Sequence, residues 1–234
     1  MAMEHIRDVL ARIPAILNGM YESPAEECLG ERLRAAVDET ASFQTQVWID
    51  TTIGRFRVDI LLTDKYGRRI AIEVDGKEFH EPVRDHWRTV FIVGERQVDV
   101  VYRVPASDLK INLVGVLAGL ATLEPRCFKQ MEISRWKEVI GGTYATATDA
   151  DSHVDEEHAY HSFWARSTAS IANHFRSDAR ECQLAAIKNY YDFAVATGLK
   201  DLEIIQEAWE LEHPMTSMNH AYLGPFEIFG SCES

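Results

Sequence analysis

Three runs of β-branched and aromatic residues follow one another closely in the first third of the 234-residue chain. They cover residues 43–49, 55–62 and 69–75, and residues 64–67 between the last two runs have the composition of a hairpin turn. Strands joined by such short links pair as antiparallel neighbours. The sequence therefore predicts a hairpin sheet in this part of the chain.

Helical patterns flank these strands. Ser23-Pro24-Ala25-Glu26 is a capping box with proline at the first helical position, and it predicts a helix that runs to about Val37. After the three strands, residues 82–93 have a helical pattern, residues 98–104 form a β-rich run, and a further helix follows Ser107 or Asp108. The order α-β-β-β-α-β-α over residues 24–122 predicts an α/β fold, in which a helical crossover adds a parallel strand to the hairpin sheet.

The character of the chain changes at Pro125. Residues 154–197 are predicted to be helical, with Gly198 as the stop, and residues 201–212 form a second short helix. Aromatic residues at helical spacing in this part are expected to be core rather than a base-stacking platform; they are Trp164, Phe175, Tyr190, Tyr191, Phe193 and Trp209. We therefore predict a first domain over residues 1–124, which includes an N-terminal helix, and a mainly helical C-terminal region over residues 125–234.

Charge and composition limit the classes of partner. The net charge of −13 argues against a nonspecific nucleic-acid coat. Residues 51–110 are nearly balanced in charge, however, whereas residues 126–234 are strongly acidic, so the total does not exclude DNA. The apolar run 111–123 is too short to cross a bilayer, and the four cysteines form no CxxC pair. We expect a cytoplasmic protein without a membrane partner.

Three carboxylates in the second and third predicted strands form a candidate metal site. Glu73 and Asp75 are two residues apart in the third strand and share one face of it, and Asp59 lies inside the preceding strand. If these two strands are neighbours, the three acids converge, and a hard divalent cation such as Mg²⁺ relieves their repulsion. The alternative is that the acids are solvated or paired with arginines; the nearby candidates are Arg55, Arg57 and Arg68.

The order of these motifs resembles a known family. The segments SPAE, FQTQVWI, GRFRVDILL, IAIEVDGKEFH, RDHWR and VVYRVPASDL are similar to the PD-(D/E)XK restriction-endonuclease-like superfamily, and especially to the branch that includes the very short patch repair endonuclease. The resemblance spans residues 23–109. It implies a metal-dependent phosphodiesterase that acts on DNA, with a restriction-endonuclease-like core of a mixed sheet flanked by helices.

The resemblance also implies roles for individual residues. Asp59 matches the invariant metal-binding aspartate, and Glu73 matches the second acidic position. Asp75, implied as a third acidic ligand, stands where many members have lysine, so Lys77 is a candidate for a displaced lysine. His80 matches a histidine that closes the motif. Glu26 matches an acidic residue that some members of the superfamily carry on the first core helix as a metal or water ligand. The capping box already gives Glu26 a structural role.

Three arginines are weaker candidates for contact with phosphate. Arg84 and Arg88 lie four residues apart on one predicted helical face, and Arg103 ends the fourth strand. Asp85 and Glu81 nearby make a solvated ion-pair face an equally good interpretation of the first two.

Two hypotheses of different classes follow. The first is a Mg²⁺- or Mn²⁺-dependent DNA endonuclease or nickase, in which the ion activates water and Lys77 or His80 orients it or protonates the leaving oxygen. The C-terminal region then serves targeting, homodimer formation or a protein partner. The second is a catalytically lapsed nuclease-fold binding module whose acidic C-terminal half engages a partner protein.

Overall fold

The structure is a computed structural model that describes residues 20–76, 82–139, 153–154, 159–164 and 172–213. The predicted N-terminal helix over residues 3–21 lies almost wholly outside these residues. The described elements, in chain order, are α1 (Pro24–Ala36), β1 (Ser42–Thr51), β2 (Gly54–Thr63), β3 (Arg69–Asp75), α2 (Pro82–Gly94), β4 (Val100–Pro105), α3 (Ala106–Leu123), a 3-10 turn (Pro125–Cys127), α4 (Gln130–Val139), β5 (His153–Val154), β6 (Ala159–Trp164), β7 (Ala172–Ala179), α5 (Arg180–Thr197) and α6 (Leu202–Glu212).

The first four strands form a mixed sheet. β1 pairs antiparallel with β2 and β2 antiparallel with β3, and the crossover through α2 then brings β4 parallel to β3. Helices lie on both faces of this sheet, so the predicted α/β architecture and its strand order are confirmed at this coarse level.

Local signals in the sequence form as predicted. The Ser23 hydroxyl accepts a hydrogen bond from the Glu26 N–H at 3.2 Å, with Pro24 in the first turn of α1. At the turn between β2 and β3, the Asp64 carboxylate accepts from the Tyr66 and Arg68 N–H groups at 2.8 and 2.9 Å. Gly67 in the same turn has a φ of 84°, which glycine adopts without strain.

Two apolar layers cover the sheet. On one face α1 and α3 pack against it, and typical members of this layer are Leu33, Ile72 and Leu117. On the other face α2 packs against it through residues such as Ile92 and Val93.

Helix α3 is long and apolar enough by composition to span a membrane, and it is the one described helix of which this is true. Half of its span is buried inside the protein, however, and Val116, Leu117 and Leu120 belong to the layer beside α1. Its apolar character is therefore accounted for by the core.

The prediction of continuous helix over residues 154–197 is wrong in its first part. Strands β5, β6 and β7 occupy positions within residues 153–179, and α5 begins only at Arg180. β7 pairs antiparallel with β4, so the sheet continues in the order β1-β2-β3-β4-β7-β6-β5. The N–H and C=O groups on the second edge of β4 require hydrogen-bond partners, and β7 supplies them. This pairing joins distant parts of the chain, so the local sequence of β7 does not predict it.

The described part of the C-terminal region thus combines strands β5, β6 and β7 with helices α4, α5 and α6. A mainly helical C-terminal appendage stays a prediction. The domain division after residue 124 stays a prediction, although the sheet itself crosses it. α5 ends before Gly198, the predicted stop, whose φ is 66°.

Helices α5 and α6 pack on α2 through aromatic side chains. Tyr190 and Trp209 are buried, and their rings contact Trp87 of α2 edge-on at centroid distances of 5.6 and 6.4 Å. The interpretation of these two residues as core is confirmed. Because Trp87 is adjacent to Arg88, this contact anchors the helix that carries one of the predicted site arginines.

Candidate functional site

Asp59 lies where the ladder between β2 and β3 ends. The last registered pair at this end is Ile60 with Ile72. One residue further on, the Asp59 side chain replaces the main chain as hydrogen-bond partner, and its Oδ2 accepts from the Val74 N–H at 2.9 Å. The carboxylate therefore sits in the fork between the two strands, held by a backbone donor.

The irregularity that creates this fork is visible in the packing of β2. Phe56 and Val58 pack on the α2 face, whereas Ile60 and Leu62 pack on the α1 face. Side chains two residues apart in a regular strand point to the same face. The alternation therefore changes phase at Asp59.

The neighbouring strand is irregular at the same level. Gln46 stands opposite Asp59 in the register of β1 and β2, and its φ is 52°, a left-handed value that few residues other than glycine adopt. Its Nε2 donates to the Glu26 carboxylate at 2.9 Å. The other amide atom, Oε1, is buried and has no hydrogen-bond partner among the described residues.

Glu26 reaches this site from α1. Its carboxylate accepts from the Glu22 N–H at 2.9 Å as well as from Gln46, and only 6% of the residue is exposed. The side chain thus accepts from the residue before the N-cap and not from the Ser23 N–H of a complete capping box, and it extends toward the sheet.

On the α2 face, two arginines contact the acids of β3. Arg88 forms an ion pair with Glu73, and its Nη2 also donates to the Arg57 carbonyl at 2.7 Å. Arg103 lies 3.3 Å from Asp75 through Nη1 and donates to the Thr89 hydroxyl at 3.1 Å. Two of the three acids predicted as metal ligands are therefore paired with arginine.

The electrostatics of the site raise the pKa of two of its acids, Asp59 and Glu73. Burial raises the pKa of Asp59 to about 8, and the negative charges of Glu73 and Glu26 contribute to the increase. Burial also raises the pKa of Glu73, while Arg88 and Arg103 oppose the shift. The site thus carries more buried negative charge than its two arginines compensate.

The structure brings together several of the residues singled out from the sequence: Asp59, Glu73, Asp75, Glu26, Arg88 and Arg103. Arg84 is exposed on α2, apart from the inward-facing Arg88. Lys77 and His80 lie outside the described residues. The expected alternative of arginine pairing does occur, but with Arg88 and Arg103 rather than with Arg55, Arg57 or Arg68.

Sequence reasoning missed two residues of the site. Gln46 has no distinguishing signal in the sequence, because its role depends on the irregular backbone opposite Asp59. Thr89 lies four residues after Asp85 on α2, and both supply acceptors to Arg103, Thr89 through its hydroxyl and Asp85 through its carbonyl at 3.2 Å. The sequence held no specific signal for this contact, because Asp85 contributes its main-chain carbonyl, which any residue at that position supplies.

The donor chemistry of the site fits a hard divalent cation. Mg²⁺ prefers oxygen ligands, and the site offers the carboxylates of Asp59, Glu73 and Glu26 together with the amide oxygen of Gln46, which is bonded to Glu26 through its nitrogen. As the side chains lie, however, the described residues include no group of three or more His, Cys, Asp or Glu that holds a metal ion. Arg88 occupies Oε1 of Glu73 and competes with an ion for this carboxylate.

Comparisons of the chain with known protein families, with curated proteins and with solved structures returned no match.

Proposed function

We propose that the protein is a divalent-metal-dependent phosphodiesterase that cleaves DNA. The observation that carries the proposal is the buried Asp59 carboxylate in the fork between β2 and β3, with Glu73 and Glu26 close enough to raise its pKa. Buried like charges of this kind are costly, and they are typical of sites that bind a cation. The strand and helix order α1-β1-β2-β3-α2-β4 agrees with the resemblance to the PD-(D/E)XK superfamily.

In this proposal Asp59 and Glu73 hold Mg²⁺ or Mn²⁺, and Gln46 and Glu26 orient its water ligands. The bound ion supplies Lewis-acid activation of water and neutralises charge on the scissile phosphate. Arg88 exchanges Glu73 for a phosphate oxygen, for which its planar guanidinium is suited. Arg103 remains held by Thr89 and is the second candidate for phosphate contact. Lys77 and His80 stay predicted as proton donors or water-orienting groups.

A second candidate function is favoured by one specific observation. Both Glu73 and Asp75 are paired with arginine, and Asp75 occupies the position where many superfamily members have lysine. A lapsed site stabilised by ion pairs in place of a metal has these features. The protein would then be a binding module whose acidic C-terminal half engages a partner protein.

A cleavage screen tests the first proposal. Purified protein is incubated with Mg²⁺ or Mn²⁺ and with duplex, nicked, branched and single-stranded DNA, beside the Asp59→Asn variant. Cleavage by the wild type alone supports the phosphodiesterase, and no cleavage of any form by the wild type contradicts it.

Titration with Mn²⁺ separates the two candidates. An active site binds Mn²⁺ more tightly than Asp59→Asn does, and because Asp59 carries a proton below about pH 8, binding at pH 7 releases protons. A lapsed site binds Mn²⁺ no better than the variant.

A further inference from the structure

An exposed aromatic residue lies beside the acidic site. Trp48 on β1 is 51% exposed, and β1 is the edge strand of the sheet among the described strands. Its neighbours in sequence, Val47 and Ile49, pack on the α2 face, so the Trp48 side chain projects from the opposite face. A large indole ring in this position is outside the core.

Two guanidinium groups lie against this ring. The Cζ atoms of Arg55 and Arg57, both on β2, are each 5.3 Å from the centroid of Trp48. Arg55 also pairs with Asp50 at 3.1 Å, and Arg57 pairs with Glu22. All four of these charged side chains are substantially exposed, and exposed ion pairs are weak, so both arginines can exchange their partners for phosphate.

The patch is connected to the acidic site through Arg57. Arg57 is the registered partner of Trp48 and lies two residues before Asp59 on β2. Its carbonyl accepts from Arg88, which in turn pairs with Glu73. Arg57, the cross-strand partner of Trp48, thus lies one strand repeat, about 7 Å along β2, from Asp59.

We propose that Trp48, Arg55 and Arg57 form a binding site for an unpaired nucleotide, with the base stacked on the indole and the guanidinium groups on the flanking phosphates. Every base has a flat π-face, so stacking on the indole does not depend on the base sequence. Because base stacking on an aromatic ring is stronger than an exposed cation–π contact, a base displaces one arginine from the ring. The displaced arginine gains a phosphate partner. An acidic peptide would pair with the two guanidinium groups, but its side chains would not stack on the indole ring.

This inference rests on the proposed function, because it names the form of DNA that the site takes: a single strand, or a duplex with unpaired bases. It predicts binding that does not require the metal. Binding and cleavage can therefore fail independently of each other.

The test measures binding of a fluorescently labelled single-stranded oligonucleotide, and of its blunt duplex, by anisotropy in EDTA at fixed low salt. The wild type is expected to prefer the single strand, and Trp48→Ala to weaken binding to it roughly ten-fold. Trp48→Phe is expected to retain most of the affinity. Arg57→Gln is expected to lower the slope of log K against log salt by roughly 0.7, the value for one phosphate contact on a single strand.

The chain offers a matched control in Tyr66. This residue is 70% exposed and is flanked by Lys65 and Arg126 at 5.1 and 5.2 Å, but it lies in the turn at the other end of β2. Tyr66→Ala is expected to leave binding unchanged. Equal losses in Trp48→Ala and Tyr66→Ala would overturn the proposal, and so would no preference for the single strand.

A poly-glutamate peptide is the competing ligand. If it binds with the same dependence on Trp48 as the oligonucleotide, the site is not specific for nucleotides and the proposal is wrong. Retained single-strand binding that depends on Trp48, together with no cleavage in the presence of Mg²⁺ or Mn²⁺, would count against the phosphodiesterase alone. Thermal unfolding of each variant confirms that the exposed substitutions leave the fold intact.

Discussion

The guanidinium of Arg88 on α2 is paired with the carboxylate of Glu73 on β3, and both side chains are largely buried. A divalent ion and Arg88 compete for the same carboxylate, because each supplies the positive charge that a buried glutamate requires. The ion pair is thus the contact on which the two candidate functions differ.

Replacement of Arg88 should make the protein depend on metal. Arg88→Gln leaves Glu73 buried without its charge partner, and we expect a loss of about 3 kcal/mol of unfolding free energy in EDTA at pH 8. Mn²⁺ should raise the melting temperature of this variant more than that of the wild type, since the ion binds only the folded site. Differential scanning calorimetry with EDTA and with Mn²⁺ measures both effects.

Arg84→Gln is the matched control for this experiment, because Arg84 is exposed on the same helix. Its response to Mn²⁺ should equal that of the wild type. An identical Mn²⁺ response in Arg88→Gln and Arg84→Gln would argue that Glu73 binds no ion.

The pKa of Asp59 predicts how stability varies with pH. The folded protein retains a proton on Asp59 up to about pH 8, whereas the unfolded chain loses it near pH 4. The contribution of Asp59 to the unfolding free energy should therefore be greater below pH 4 than above pH 8. Between these values it should fall by at most about 1.4 kcal/mol per pH unit. Asp59→Asn removes this contribution while its amide oxygen still accepts from Val74.

Urea unfolding in EDTA at pH 6 and pH 9 measures this difference. Asp59→Asn should gain stability relative to the wild type, and more so at pH 9. Asp192→Asn, which alters an exposed carboxylate paired with Lys188 on α5, should show no such trend. A constant difference between wild type and Asp59→Asn across this range would contradict the raised pKa.

The contact between α2 and α5 should be intolerant of a methyl group at Gly94. A Cβ added there lies 2.7 Å from Cγ of Tyr191, closer than packed atoms approach. Gly94→Ala should lower the unfolding free energy by about 1–3 kcal/mol through overpacking. Gly76→Ala, where the added Cβ meets no atom of the described residues within 4 Å, should change it little in the same urea titration.

The hydrogen bond between α2 and α6 should also contribute measurably. Gln206 is buried, and its Oε1 accepts from the Trp87 indole N–H at 2.8 Å. Gln206→Leu leaves that N–H buried without a partner, and we expect a loss of about 1–3 kcal/mol. Chemical denaturation followed by circular dichroism measures it, with the exposed Glu207→Gln on the same helix as the control; equal stability of the two variants would show that the bond contributes nothing.

Elements specified by nearby residues could be predicted from the sequence. The cap of α1 depends on Ser23 and Glu26, three residues apart, and the turn before β3 depends on Asp64 and Gly67. The three carboxylates of the candidate site followed from the pattern of two adjacent strands. These signals involve interactions of short range, so they do not depend on the rest of the fold.

Other features could not be predicted, because the interactions that create them join distant parts of the chain. Residues 172–179 form a strand since the free edge of β4 requires partners, and no β-branched pattern marks them. Gln46 enters the site only through an irregular backbone opposite Asp59.

Over residues 24–122 the sequence by itself determined the order of strands and helices, the caps and turns that bound them, and which acids lie near the end of the sheet. The tertiary structure alone decided which cations face those acids. Arg88 and Arg103 face the acids, whereas Arg84 stays exposed one helical turn before Arg88, so position on one helical face did not decide which arginine is buried. A buried carboxylate must take a charge partner from whatever side chains that packing brings within reach.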